Sequence, residues 1–114
     1  MSIWPKSDIT TSQDLSSDAM AYTTTIARRF KLDSVSGKSS VAITETVTIS
    51  LDSGKGANYD VTLATISLVS KSSFVWRPEG ELNLLAGDAI KVACTNANAT
   101  GTLYVVIKTS ELQS

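Results

Sequence analysis

The chain has 114 residues, 42% hydrophobic and 18% charged, with ten lysines and arginines against eleven acidic residues for a net charge of −1. That length makes one domain able to bury a core, and the charge balance leaves neither the basic footprint of a nucleic-acid binder nor an acidic tail. Histidine is absent and cysteine occurs once, at Cys94, which excludes Ser-His-Asp and Cys-His catalytic arrangements, His-based zinc sites and an intrachain disulfide framework.

Residues 1–20 scatter Ile3, Trp4, Ile9, Leu15 and Met20 among Ser, Thr, Asp and Gln without a helical or strand period. Pro5 disfavours helix at Trp4, and the expectation is an extended arm lying outside the folded domain. Ordering such an arm requires a partner surface or the domain's own flank, and the alternative is that it pairs with an edge strand of its own sandwich. Trp4 is the natural anchor and Ile3 and Ile9 are secondary contacts. The stretch carries no signal-peptide pattern, and no later window approaches the roughly 18 apolar residues of a membrane span. A soluble product made in the cytoplasm, with no membrane partner, is expected.

The domain proper is assigned to residues 21–114. Ala21–Asp33 alternates, with Tyr22, Thr24, Ile26, Arg28, Phe30 and Leu32 on one row. SVSGKSS then reads as a turn around Gly37. Val41–Leu51 alternates again, with Val41, Ile43, Val47, Ile49 and Leu51 on the apolar row and Glu45 as the one charge within it. This is the period of a half-buried strand. Folding the two runs as a hairpin about Ser36 and Gly37 sets Phe30 opposite Ile43 and Leu32 opposite Val41. The same register sets Arg28 opposite Glu45, an ion pair that would fix register more than it adds stability.

DSGKGAN makes a reversal, and a third strand starts near Tyr59. Its apolar row runs Tyr59, Val61, Leu63, then slips by one residue to Ile66 and Leu68. Burial of both halves requires an irregularity at Ala64–Thr65. Phe74–Trp76 is a short aromatic strand, Pro-Glu-Gly a turn and Leu82–Leu84 a brief extended segment. Ala86-Gly87-Asp88 is a turn, Ile90, Val92 and Cys94 point inward, TNANATG is a loop and TLYVVIKT closes the domain. Seven or eight short strands with turn signals between them make an antiparallel β-sandwich of jelly-roll or other Greek-key topology.

Ser36-Gly37-Lys38-Ser39 is not a phosphate loop, because Leu32 stands where its first glycine is needed. Glu79 and Glu81 beside Gly80, with Asp52, Asp60 and Asp88, read as turn chemistry before acid–base equipment. No cofactor and no metal is assigned. Cys94 reads as a core thiol, and Asn98-Ala99-Thr100 as a chance glycosylation sequon. Trp76 is a candidate sugar platform, with a core tryptophan as the simpler reading.

Phe74–Ile107, FVWRPEGELNLLAGDAIKVACTNANATGTLYVVI, resembles small structural proteins of tailed bacteriophage particles. Their shared pattern is Trp-x-Pro, a leucine-rich stretch, Gly-Asp, a strand, an Asn/Ala/Thr/Gly loop and a strand. The resemblance is strongest to a capsid decoration (cement) protein or a head or tail accessory subunit. It covers roughly the last third of the chain, with the hairpins similar only in style, and brings no catalytic residue across. It implies a non-enzymatic virion protein, a β-sandwich bound to capsid or tail proteins as a symmetric homo-oligomer, often a trimer. The competing expectation is a carbohydrate- or receptor-binding module built on Trp76. An enzyme using Glu79 and Glu81 ranks third.

Overall fold

The computed structural model describes residues 6–26, 28–80, 82–97 and 101–111, with the side chains of 6, 7 and 111 left aside. Seven strands run through them: β1 (Lys6–Asp14), β2 (Met20–Thr25), β3 (Phe30–Asp52), β4 (Val61–Trp76), β5 (Asn83–Leu84), β6 (Ala89–Cys94) and β7 (Thr102–Glu111). All pairings are antiparallel, and β1 with β7, β2 with β6 and β3 with β4 are nested in the manner of a wound-up jelly roll. The antiparallel all-β sandwich expected from the alternation is the fold of the chain.

Its organising element is β3, 23 residues long. Phe30–Ser39 pairs with β7, whereas Val47–Asp52 pairs with β6 along the same side of the strand. On its other side β4 accompanies β3 from Val35 to Leu51. One long hairpin therefore belongs to two layers, ordered β1-β7-β3-β4 and β2-β6-β3-β4, with β5 added beside Phe30 and Lys31. Between the layers lies one core, in which Phe30, Leu32, Val35, Leu103, Val105 and Ile107 meet Met20, Val47, Ile49, Ile90, Val92 and Cys94. The inward placing of Ile90, Val92 and Cys94 follows the sequence alternation.

The register between β3 and β4 breaks where the hairpin changes layer. Lys38 faces Ser73 but Ile43 faces Lys71, so residues 39–42 of β3 stand opposite a single residue of β4, and Val41 is exposed. A second break at Asp33 leaves that residue unpaired between Leu32 opposite Thr109 and Ser34 opposite Lys108. Its carboxylate accepts a 2.6 Å hydrogen bond from Ser110 and lies 3.8 Å from Lys31 Nζ. These bulges turn the inward row from Phe30 and Leu32 to Val35 and then to Ile43, Glu45, Val47 and Ile49.

Three expectations are corrected here. The turn at Gly37 does not exist, because Gly37 is an interior residue of β3, opposite Phe74. A Cβ there would fall within 2.7 Å of the Phe74 ring carbon Cζ, so the glycine makes room for a cross-strand aromatic side chain. β2 instead ends at Thr25 and β3 begins at Phe30, and just past β2 Ile26 is bonded to the 85–88 turn: its N–H donates to Asp88 O and its carbonyl accepts from Gly87 N.

With the hairpin gone, the Arg28–Glu45 pairing falls as well. Glu45 faces Leu68, and Arg28 precedes the far end of the same strand. At about 3.3 Å per residue, that end is tens of ångströms away.

The extended arm is the third correction. Residues 6–14 are an ordinary edge strand paired throughout with β7, while Leu15 and Met20 are buried in the core. The Leu15 N–H donates to Gly101 O at 2.9 Å, and Asp14 folds the connection by accepting from the Ser16 N–H and hydroxyl. These bonds hold Asp14 below its usual carboxylate range. Residues 6–20 are therefore part of the same sandwich as the rest of the chain, and residues 1–5 of the expected arm lie outside the described residues.

The predicted irregularity in the third strand is present, displaced slightly toward the strand start. Ile49 faces Ala64 and Ser50 faces Thr62, leaving Leu63 as the extra residue. Leu68 is buried and Leu63, Ala64 and Ile66 are half-buried, but Val61 is 51% exposed. The strand carries its aromatic segment Phe74–Trp76 as a continuation, so the third and fourth predicted strands are one.

Candidate functional site

Two adjoining features stand out: the outer edge of β4 and the polar junction at Glu45 beside it. β4 is 16 residues long and hydrogen-bonds to β3 alone among the described residues. Its other edge presents main-chain N–H and C=O groups without a neighbouring strand among the described residues. Native sequences blunt such edges with charge, proline or bulges. β4 contains no proline and one charge, Lys71. Its protection comes from irregularity, at Leu63 and again near Ser70, whose φ of 51° lies in the left-handed region. The Ser70 N–H donates to Thr44 Oγ1 at 3.1 Å, which spans the break.

Along this edge Val69 is 63% exposed and Val75 62% exposed. Strand alternation accounts for both. Leu68 and Phe74 point into the core, so Val69 and Val75 point away from it. The solvent side of the neighbouring strands is dominated by hydroxyls: Thr46, Thr48 and Ser50 of β3 face Ser67, Thr65 and Thr62 of β4. The edge is thus flanked by short, uncharged side chains that lose little rotamer freedom on being covered.

Glu45 lies where β3 leaves β7 and joins β6. Its side chain is 5% exposed, and one carboxylate oxygen accepts from the Thr95 hydroxyl at 2.7 Å and from the Ala97 N–H at 3.1 Å. Thr95 is tied back twice, its Oγ1 accepting from the Thr46 N–H and its own N–H donating to the Thr46 carbonyl. The carboxylate thereby continues the β3–β6 ladder by one side-chain step past Cys94 and fastens the start of the β6–β7 connection. A shallow depression of about 260 Å³ opens between Thr44–Thr46, Ser67–Leu68 and Thr95. Burial, and secondarily the negative charge of Glu45, push the Cys94 thiol up to about 11. At neutral pH it is a protonated core group and not a nucleophile.

The remaining sequence candidates are dispersed. Ile3, Trp4, Glu81 and Asn98–Thr100 lie outside the described residues. Ile9 is half-buried opposite Ile107, packed on its own domain's core. Arg28 is exposed between β2 and β3. Trp76 faces Val35 and is half-buried against the core, closer to the core-tryptophan reading than to a free platform. Glu79 is exposed. Asp88 is buried, accepting from the Gly54 N–H at 3.0 Å and the Leu85 N–H at 3.1 Å. It clamps two loops together, and Asp60 does the same locally by accepting from the Ser53 N–H. Among the described residues no buried side-chain nitrogen or oxygen lacks a hydrogen-bond partner, and no cluster of acidic or thiol groups suits a metal ion.

Val69 and Val75 were not singled out by the sequence reading. The available signal was a run of 16 residues, VTLATISLVSKSSFVW, with a single charge and no turn residue, which marks one long strand once the Phe74 segment is read as its continuation.

No protein-family model and no characterised protein sequence matches the chain. Among solved structures, the chain is similar to the Drosophila NLP core, whose crystal structure is described as giving insight into pentamer formation and histone binding. The TM-score is 0.48 and the identity 12%, over 90% of this chain and 97% of that one. At that distance the likeness carries no argument about what this chain binds, and the functional reading rests on its own surface.

Proposed function

We propose that the chain is a non-enzymatic structural subunit that works by assembling with copies of itself and with the proteins of a larger particle. Its setting is the virion of a tailed bacteriophage, as a decoration or head or tail accessory protein. The observation that carries the assembly reading is the β4 edge: a long strand, open along one side, low in charge and bearing exposed valines, on an otherwise well-satisfied sandwich. Exposed strand edges recruit further strands through main-chain hydrogen bonds. The virion setting rests on the resemblance of Phe74–Ile107 alone.

Native mass spectrometry and light scattering of the purified chain over a concentration series test this reading. Assembly into a symmetric oligomer is the expected result. A monomer at every concentration that binds glycans on an array, and loses that binding in Trp76→Ala, would overturn it in favour of a carbohydrate-binding module.

A further inference from the structure

Resting on that assembly reading, we infer that two copies of the chain pair through β4, antiparallel about a two-fold axis at Ile66, so that each sandwich extends its sheet into the other. The regular part of the strand defines the register. Ala64–Leu68 is in continuous register with Glu45–Ile49 of β3, and is bounded by the Leu63 bulge on one side and by the break at Val69–Ser70 on the other. A partner strand can add only to this short, unkinked segment, because the bulges bend the edge away on both sides.

Within the segment an isologous pairing is self-consistent. Antiparallel partners share a face, so the inward row Ala64, Ile66 and Leu68 must meet its own kind, and the outward pair Thr65 and Ser67 likewise. A two-fold axis at Ile66 satisfies both: Ile66 meets Ile66, Ala64 meets Leu68 and Thr65 meets Ser67 across the axis. Shifting the sum of paired positions by one would set inward residues against outward ones. Lys71, the one charge of the strand, lies beyond the paired segment, so no like charges face each other within it. The two-fold uses the outer β4 edge of both copies, so pairing through β4 closes as a dimer.

Cysteine cross-linking reads the register directly. Facing residues of an antiparallel pair stand roughly 4.5–5.5 Å apart at Cα, inside the range a disulfide spans. Thr65 and Ser67 are exposed, so substitution there does not disturb the core, and the native Cys94 is buried. A 1:1 mixture of Thr65→Cys and Ser67→Cys chains, mildly oxidised, is expected to convert mainly to the mixed covalent dimer, with each variant alone giving at least about tenfold less. The charge-reversal pair gives the equilibrium counterpart: Thr65→Glu/Ser67→Glu should weaken dimerisation by about tenfold and Thr65→Lys/Ser67→Glu should restore it, since facing like charges destabilise a strand pair and facing opposite charges stabilise it. Oligomers that form without the 65–67 cross-link, and that ignore the charge variants, overturn this pairing while leaving the assembly reading intact. A chain that stays monomeric throughout overturns both.

Discussion

The two arms of the central hairpin, β3 and β4, share a ladder and nearly the same hydroxyl-rich composition, yet they end in opposite environments. β3 has neighbours on both sides, β7 and then β6 on one and β4 on the other, and it buries Phe30, Leu32, Val35, Ile43, Val47 and Ile49. β4 has β3 alone, and only Leu68 and Phe74 of its 16 residues are buried. Burial in a sheet is therefore set by how many edges are occupied as much as by the side chains themselves. Among the described residues β4 is the longest strand with a single neighbour.

The sharpest way to break this contrast is to truncate matching apolar residues on each arm. Phe30→Ala in β3 empties a fully buried site and is expected to cost about 3–5 kcal/mol. Val75→Thr in β4 should stay within about 0.5 kcal/mol in the isolated chain. Urea denaturation of both variants decides it, and equal losses would mean that β4 is covered in the free protein. Glu45→Ala probes the point where β3 changes neighbour. Removing the carboxylate leaves the Thr95 hydroxyl and the Ala97 N–H without their acceptor, a loss of about 1–3 kcal/mol. Hydrogen exchange should localise the effect to residues 95–97, and Glu45→Gln, which keeps an acceptor oxygen, should recover much of it.

A smaller effect depends on pH. The Cys94 thiol ionises near 9.0 in its ordinary state but only near 11 in the folded chain. Its folded pKa is raised, so its contribution is complete below about 9 and is lost as pH climbs through 11. Thermal melts of wild type and Cys94→Ala should therefore converge across that window, and a constant difference would show that the thiol does not titrate with unfolding. At the acid end Asp14 acts with the opposite sign. Its folded pKa is depressed, so the stability it adds is present above its unfolded pKa and lost as pH falls through the folded one. Asp14→Asn should flatten only that acid limb, the smallest effect of the set because the side chain is exposed.

Local periodicity was enough to place the interior of the sandwich. The alternation of Ile43, Val47 and Ile49 and of Ile90, Val92 and Cys94 identified buried rows, and the phase slip between Leu63 and Ile66 announced a bulge that exists one residue earlier. These are properties of consecutive residues, and the pleat of a strand converts them directly into faces. β1 was missed because its inward row, Ile9, Thr11 and Gln13, holds one apolar side chain. Only pairing with β7 reveals it as a strand.

What the amino-acid order determined by itself was the class of the fold and the inward rows of its clearest strands. The route of the chain between sheets was decided elsewhere. Gly37 looked like a turn because glycine is conformationally permissive, but the Phe74 ring lying over it uses the same missing Cβ to keep β3 straight through the middle of the sequence. The charge in each apolar row suggested a partner for the other, yet Glu45 is held by Thr95 and Ala97, some fifty residues on. Glycine and glutamate have several uses that look alike in sequence, and which one applies depends on groups that approach only when distant segments close into one sandwich.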